Sequence, residues 1–189
     1  HFVTKSRGLY DFGSNFYAVQ SFEHEGRRIA IGWTADCYGE HIPEENGSYG
    51  AMAIPRELSV KDGILFQKPV KEIYQLRGNC LCNVEGQNLH LCHLNKNCWY
   101  GRVQFYEDTD FRILIGSSKE GKIWLSRKGT QVVIKTEGVK SKYVNFVTEI
   151  ERLLEAEIFV DRRLVEVYLN KGEKVGTKLF YQDGDDGIF

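Results

Sequence analysis

The residues best suited to chemistry stand near the front of the chain, in the stretch Tyr10-Asp11-Phe12-Gly13-Ser14-Asn15-Phe16-Tyr17. A carboxylate, Asp11, lies beside an aromatic, Phe12, on a glycine-bearing turn that leads into an extended segment. A second aromatic, Trp33, ends the next extended segment, just before the polar loop 35–50. Aromatic faces pack on the apolar face of a sugar ring, and carboxylates accept hydrogen bonds from its hydroxyls. An exposed aromatic next to a carboxylate is therefore what a sugar site needs. On these residues alone, core aromatics and a turn aspartate is the simpler reading.

Other candidates carry less. Cys80, Cys82, Cys92, His93 and Cys98 could hold zinc through thiolates and an imidazole. However, C-x-C is not the usual C-x2-C knuckle. With strand-like flanks, Cys80 and Cys82 would share one strand face as buried free thiols. No metal site and no cofactor are expected. Nucleophile-elbow, H-E-x-x-H and P-loop motifs do not occur. His24, His41 and His90 stand isolated, and the acidic run 107–110 reads as a solvated hairpin turn.

These groups must be positioned by a chain of 189 residues, enough for one domain or two small ones. Hydrophobic residues make up 42% and charged residues 27%, ordinary values for a folded protein. Aromatics reach 13%, which favours strands. A formal net charge of −1 implies no basic face for nucleic acid or an anionic membrane. No apolar run is long enough to span a bilayer as a helix, and no signal peptide is apparent. The five cysteines make an odd count, which points to reduced thiols and the cytoplasm. The chain opens on His1 rather than Met, which reads as a trimmed or cloned piece.

Period-two patterning predicts strands over 16–22, 28–34, 49–54, 57–60 and 64–67. A connector follows, with a domain boundary near 76–79. Further strands are expected over 89–94, 99–106, 111–116, 122–127, 131–136, 156–161, 164–170 and 178–181. Their spacing and Gly/Asn/Asp turns suggest a β-sandwich. The segment 146–156 conflicts with this: its residues are strong helix formers at helical spacing, whereas a sandwich wants a strand and a turn. Both assignments stay open.

A wider pattern adds to this. DFGSNFYAVQSF, GRRIAIGW, GAMAIPRELSV and LFQKPVKEIYQLR follow one another in the order and spacing of glycoside hydrolase family 32, the β-fructosidases. Near the other end, AEIFVDRRLVEVYLNKGEKVGTKLFY resembles the signature strand pair of that family's C-terminal sandwich. The resemblance implies an all-β fold: the terminal part of a five-bladed β-propeller over 1–76, then a β-sandwich over 79–189. It implies a fructose-containing sugar as partner, with Asp11 at the pocket rim, Phe12 beside it and Trp33 closing the next strand. It also places Ser14 where specificity varies among relatives, and Asn15 where the family has Asp, which removes a charge. Arg163 replaces the family's Ser, and residues 55–58 read as structural, Arg56 and Glu57 pairing beneath the propeller.

The family works by double displacement between two carboxyl groups, without metal. Its nucleophile lies in W-M-N-D-P-N-G, its transition-state aspartate in R-D-P and its acid/base in E-C. None of these motifs occurs in the 189 residues. No catalytic residue is therefore expected, and the chain alone should be inactive, a C-terminal fragment of a β-fructoside hydrolase. The alternatives are a non-catalytic carbohydrate-binding or assembly module, or a purely structural domain. Open strand edges in 1–76 would favour self-association.

Overall fold

The computed structural model describes residues 3–4, 7–34, 50–86, 98–117, 121–138 and 145–180. Among these residues the chain is all-β, with thirteen strands in three antiparallel sheets. The first sheet contains β1 (Phe16–His24), β2 (Arg27–Thr34), β3 (Ala51–Met52), β4 (Arg56–Lys61) and β5 (Ile64–Pro69). Its order is β1-β2-β4-β5, with β3 pairing onto β2. Two of its hairpins close through two-residue turns, Glu25-Gly26 and Asp62-Gly63, with all four residues at positive φ. Such primed turns match the right-handed twist of the strands they join. A 3-10 helix, Lys71–Leu76, follows.

The remaining strands form two four-stranded sheets. β7 (Phe111–Ser117), β8 (Lys122–Lys128), β9 (Gln131–Glu137) and β10 (Asn145–Glu149) make one, in the order β10-β9-β8-β7. β6 (Cys98–Gln104), β11 (Glu155–Asp161), β12 (Leu164–Leu169) and β13 (Lys174–Leu179) make the other, in the order β13-β12-β11-β6. Their inner faces share one core, including Ile123, Leu125 and Ile134 from the first and Ile158, Val165 and Val167 from the second. β8 and β9 alternate buried and part-exposed residues, as sheets with one solvated face do. β11 and β12 are buried on both faces along nearly their whole length. Their outer face, with Phe159 and Tyr168, is covered by Ile54, Ile73 and Tyr74 from the N-terminal part.

Local propensity loses at 146–156, where the chain forms β10 and then an irregular bend. The bend drops Ile150 and Leu153 into the shared core. Asn170 ties it down from the β12–β13 turn. Its Oδ1 accepts from the Leu154 amide at 2.8 Å and from Glu155 at 3.4 Å, and its Nδ2 donates to the Arg152 carbonyl at 2.7 Å. Asn170 itself sits at φ 47°, a left-handed conformation that Asn tolerates better than most residues. Asn170→Ala is expected to cost about 2 kcal/mol, since it strands backbone groups that a helix would have satisfied. An unchanged urea midpoint would show that water satisfies those groups equally well.

Four further expectations need revision. The final strand runs over 174–179, not 178–181, because the turn after Leu169 is tight and Lys174 already pairs with it. Residues 107–110 do not make a hairpin turn, since β6 and β7 belong to different sheets. They are instead pinned to β8 and its turn: Arg127 Nη1 donates to Asp108 Oδ1 at 2.9 Å and the Gly129 amide to Asp110 Oδ1 at 2.8 Å. Cys80, Cys82 and Cys98 are exposed free thiols rather than buried ones, and residues 77–85 form no strand. The expected strand over 89–94, with Cys92 and His93, lies outside the described residues, as do Cys37, His41 and His90. No helix among the described residues is long and apolar enough to cross a membrane.

Candidate functional site

The turn that precedes β1 runs along the free edge of β13. The Phe12 amide donates to the Val175 carbonyl at 2.9 Å and the Asn15 amide to the Thr177 carbonyl at 3.3 Å. Side chains complete this ladder. Asp11 Oδ1 accepts from the Thr177 amide at 2.9 Å, and Asn15 Oδ1 from the Leu179 amide at 2.9 Å. An exposed strand edge is thereby closed by one carboxylate, one amide and two backbone groups. The approach is close enough to require glycine: a Cβ on Gly13 would lie 2.0 Å from the Thr177 carbonyl oxygen.

Asp11 is also one corner of a buried charge network. Its Oδ1 accepts a second bond from the Gly13 amide at 2.8 Å. Its Oδ2 accepts from Arg56 Nη2 at 2.9 Å and from Thr177 Oγ1 at 2.7 Å. Arg56 Nη2 also donates to Glu166 Oε2 at 3.0 Å, and its Nη1 to Gln67 Oε1 at 3.0 Å. Glu166 accepts further from the Ile54 amide at 2.6 Å and the Tyr168 hydroxyl at 2.8 Å. The side chains of Arg56 and Glu166 are 0% exposed and that of Asp11 is 3% exposed. The guanidinium lies over the Phe16 ring, 4.0 Å from its centroid. Arg56 therefore pairs with Asp11 and Glu166 across the sheets. Glu57 pairs instead with Arg27 at 2.8 Å.

The five residues singled out from the sequence thus separate into two groups. Asp11, Phe12, Ser14 and Asn15 turn their side chains into the protein; Phe12 joins the shared core of the two C-terminal sheets. Trp33 alone is at the surface, 39% exposed. It stands edge-on to Tyr17, with ring centroids 6.3 Å apart, and opposite Met52. Sequence reasoning missed Thr177 as a partner of the turn and Glu166 as a partner of Arg56. The available signal was Glu166 inside the apolar run 164–169, since a charge on a buried strand demands a partner.

The 3-10 helix is held to the first sheet by Arg27, whose two Nη atoms reach Glu72 at 2.7 and 3.0 Å. That bidentate pairing lowers the Glu72 carboxyl to about 2, against a usual 4.5. Its contribution is complete above about pH 4.5 and fades as pH falls towards about 2. The stability gap between the wild-type chain and Glu72→Gln should therefore close on acidification through that window. A gap that stays constant would remove the ion pair as its cause. On the other side of the helix, the Tyr74 and Tyr100 hydroxyls donate to Glu157 at 3.0 and 2.7 Å. Among the described residues, no group of three or more His, Cys, Asp or Glu side chains gathers as metal ligands would.

The architecture is one seen in glycosyl hydrolases. It superimposes on a glycoside hydrolase family 32 structure from Bifidobacterium adolescentis with a TM-score of 0.85 and 32% identity, covering 97% of this chain and 30% of that one. The chain belongs to glycosyl hydrolase family 32. The profile of the family's N-terminal domain matches residues 1–69, and that of its C-terminal domain matches residues 95–188. Among curated proteins it is 28% identical to a sucrose-6-phosphate hydrolase of Staphylococcus xylosus, over 94% of this chain and 39% of that one. It is likewise 28% identical to a raffinose invertase of Escherichia coli, over 93% of this chain and 38% of that one. The chain thus spans well under half the length of these relatives.

Proposed function

We propose that this chain is the closing part of a β-fructoside hydrolase acting on sucrose, its 6-phosphate or a fructan. In this reading residues 1–76 are terminal strands of a β-propeller and residues 79–189 a β-sandwich. The relatives named as sucrose-6-phosphate hydrolase and invertase support the substrate class. The exposed Trp33, opposite Tyr17 on the strand that follows the turn carrying Asp11, is the observation that supports a remaining sugar contact. Asp11, Phe12, Ser14 and Asn15 then act on the sugar side by fixing that turn. The odd cysteine count supports a reducing cytoplasm. Because the family's three carboxylate motifs do not occur in these residues, the 189-residue chain is expected not to hydrolyse sucrose or inulin. Turnover comparable with that of an intact family member would overturn this. Calorimetry with kestose should show binding that Trp33→Ala weakens; equal affinity in the variant would remove the proposed contact.

The second reading, a non-catalytic assembly module, draws on one specific observation. Among the described residues β1 pairs only with β2, which leaves its other edge open. Open edges recruit other chains. A clean monomer by light scattering across micromolar concentrations would dispose of association through that edge.

A further inference from the structure

We propose that Cys80 and Cys82 form a redox-modification site, a dithiol that a small-molecule disulfide converts to a disulfide bond closed around Leu81. This goes beyond the sugar reading and rests on none of its residues.

Three free thiols lie among the described residues, and their surroundings differ. Cys98 stands opposite Asp161 in the β6–β11 pair, and its Sγ donates to Asp161 Oδ1 at 3.2 Å. Loss of solvent around the sulfur, and then that carboxylate, push the Cys98 thiol up and away from the reactive thiolate form. Cys80 and Cys82 are exposed and one residue apart. The Cys80 thiol donates to the Cys82 carbonyl at 3.4 Å, so its sulfur is already folded over the residue it would join. A structural zinc site needs four ligands. Among the described residues, no further His, Cys, Asp or Glu side chain gathers with these two thiols.

The backbone can accept the bond. Two residues of extended strand span about 6.7 Å, the upper end of the Cα separations that a disulfide bridges. A paired strand would resist the bend required, but this connector does not. Residues 77–85 form no strand, and the backbone of 78–85 makes no hydrogen bond to another described segment. Leu81, between the two thiols, is 60% exposed, so no packing opposes the turn. Just before the pair the chain is fixed. Arg77 Nε donates to the Tyr74 carbonyl at 3.1 Å, and its guanidinium lies 5.1 and 5.5 Å from the ring centroids of Tyr74 and Tyr100. The dithiol is thus presented immediately beyond an anchor, on chain that is free to bend.

The exchange balances with glutathione disulfide as oxidant. One thiolate of the pair attacks a glutathione sulfur; that S–S bond breaks, a mixed disulfide forms and one glutathione thiolate leaves. The second thiolate attacks the protein sulfur of the mixed disulfide and expels the other glutathione. Cys80 and Cys82 together give up two electrons and two protons, which glutathione disulfide takes up as two thiols. A ring that encloses a single residue is strained, and strained or exposed disulfides are the readily reduced ones. The pair therefore stands open while reduced glutathione dominates and closes as disulfide accumulates, in the manner of transient redox-sensing bonds.

The test treats the reduced 189-residue chain with glutathione disulfide and maps each cysteine by alkylation and mass spectrometry. Wild type should lose two hydrogens across Cys80 and Cys82, carry no glutathione on either, and leave Cys98 open to alkylation. Cys82→Ser should retain a glutathionyl group on Cys80, and Cys80→Ser one on Cys82, because each variant lacks the thiol that resolves the adduct. About a tenfold excess of reduced glutathione should restore both wild-type thiols. Persistent glutathione adducts on wild-type Cys80 or Cys82 would overturn the proposal. So would a bond from either to Cys37, Cys92 or Cys98, or two thiols left unmodified.

Discussion

Arg56→Met should destabilise the chain by about 3–5 kcal/mol, because it leaves two buried carboxylates without their cation. Asp11 and Glu166 would keep their buried positions and lose the guanidinium that touches both. Against a total stability of about 5–15 kcal/mol for a domain, that is a large fraction. The loss should depend on pH in a defined direction. Burial lifts the Glu166 carboxyl above its usual 4.5 even with Arg56 in place. A carboxyl whose folded value is raised contributes most below its unfolded value and less as pH rises through the folded one. Removing Arg56 lifts it further. The variant should therefore lose more at alkaline than at mildly acidic pH, measured by urea unfolding at each pH. A second variant, Arg56→Met with Asp11→Asn and Glu166→Gln, should recover part of the loss, since neutral amides tolerate burial better. A loss under about 1 kcal/mol, with no pH dependence, would show that the network is peripheral.

Phe12→Ala should cost about 3–5 kcal/mol as well, through a different mechanism. Phe12 precedes the first strand in sequence, yet it packs among Ile134, Val167 and Phe180 in the C-terminal core. The fit is tight: a Cβ on Gly176 would lie 2.7 Å from the Phe12 ring. Fluorescence of Trp99, which packs against the same core, should report the loosening in urea. A midpoint close to wild type would mean that the turn docks weakly and that the C-terminal sheets hold together without it.

How much of this could be read from the sequence depends on the range of the interaction. Strands held by local alternation and short turns, such as β1–β2 with Glu25-Gly26 and β4–β5 with Asp62-Gly63, were legible because pattern and turn lie within a few residues. The bend at 150–154 was not, because its hydrogen bonds come from Asn170, in a turn two strands removed. The family resemblance marked Asp11, Phe12 and Trp33 as one group. It could not tell that Asp11 and Phe12 face inward, since that is decided by Thr177 and Gly176.

The clamp between the first turn and β13 also bears on how the chain is made. Asp11 and Thr177 are 166 residues apart, and Asn15 and Leu179 are 164 apart. At about 5–20 residues per second, a ribosome needs on the order of ten to thirty seconds to travel between the two halves of that clamp. Through that interval the β1–β2 hairpin can form, but the Phe12 ring and the Asp11 carboxylate have nothing to dock against. Contacts so distant in sequence also slow the search once the chain is released. These residues therefore leave the exit tunnel before their partners exist, and a chaperone that shields an exposed aromatic would find its substrate at Phe12 until β13 emerges.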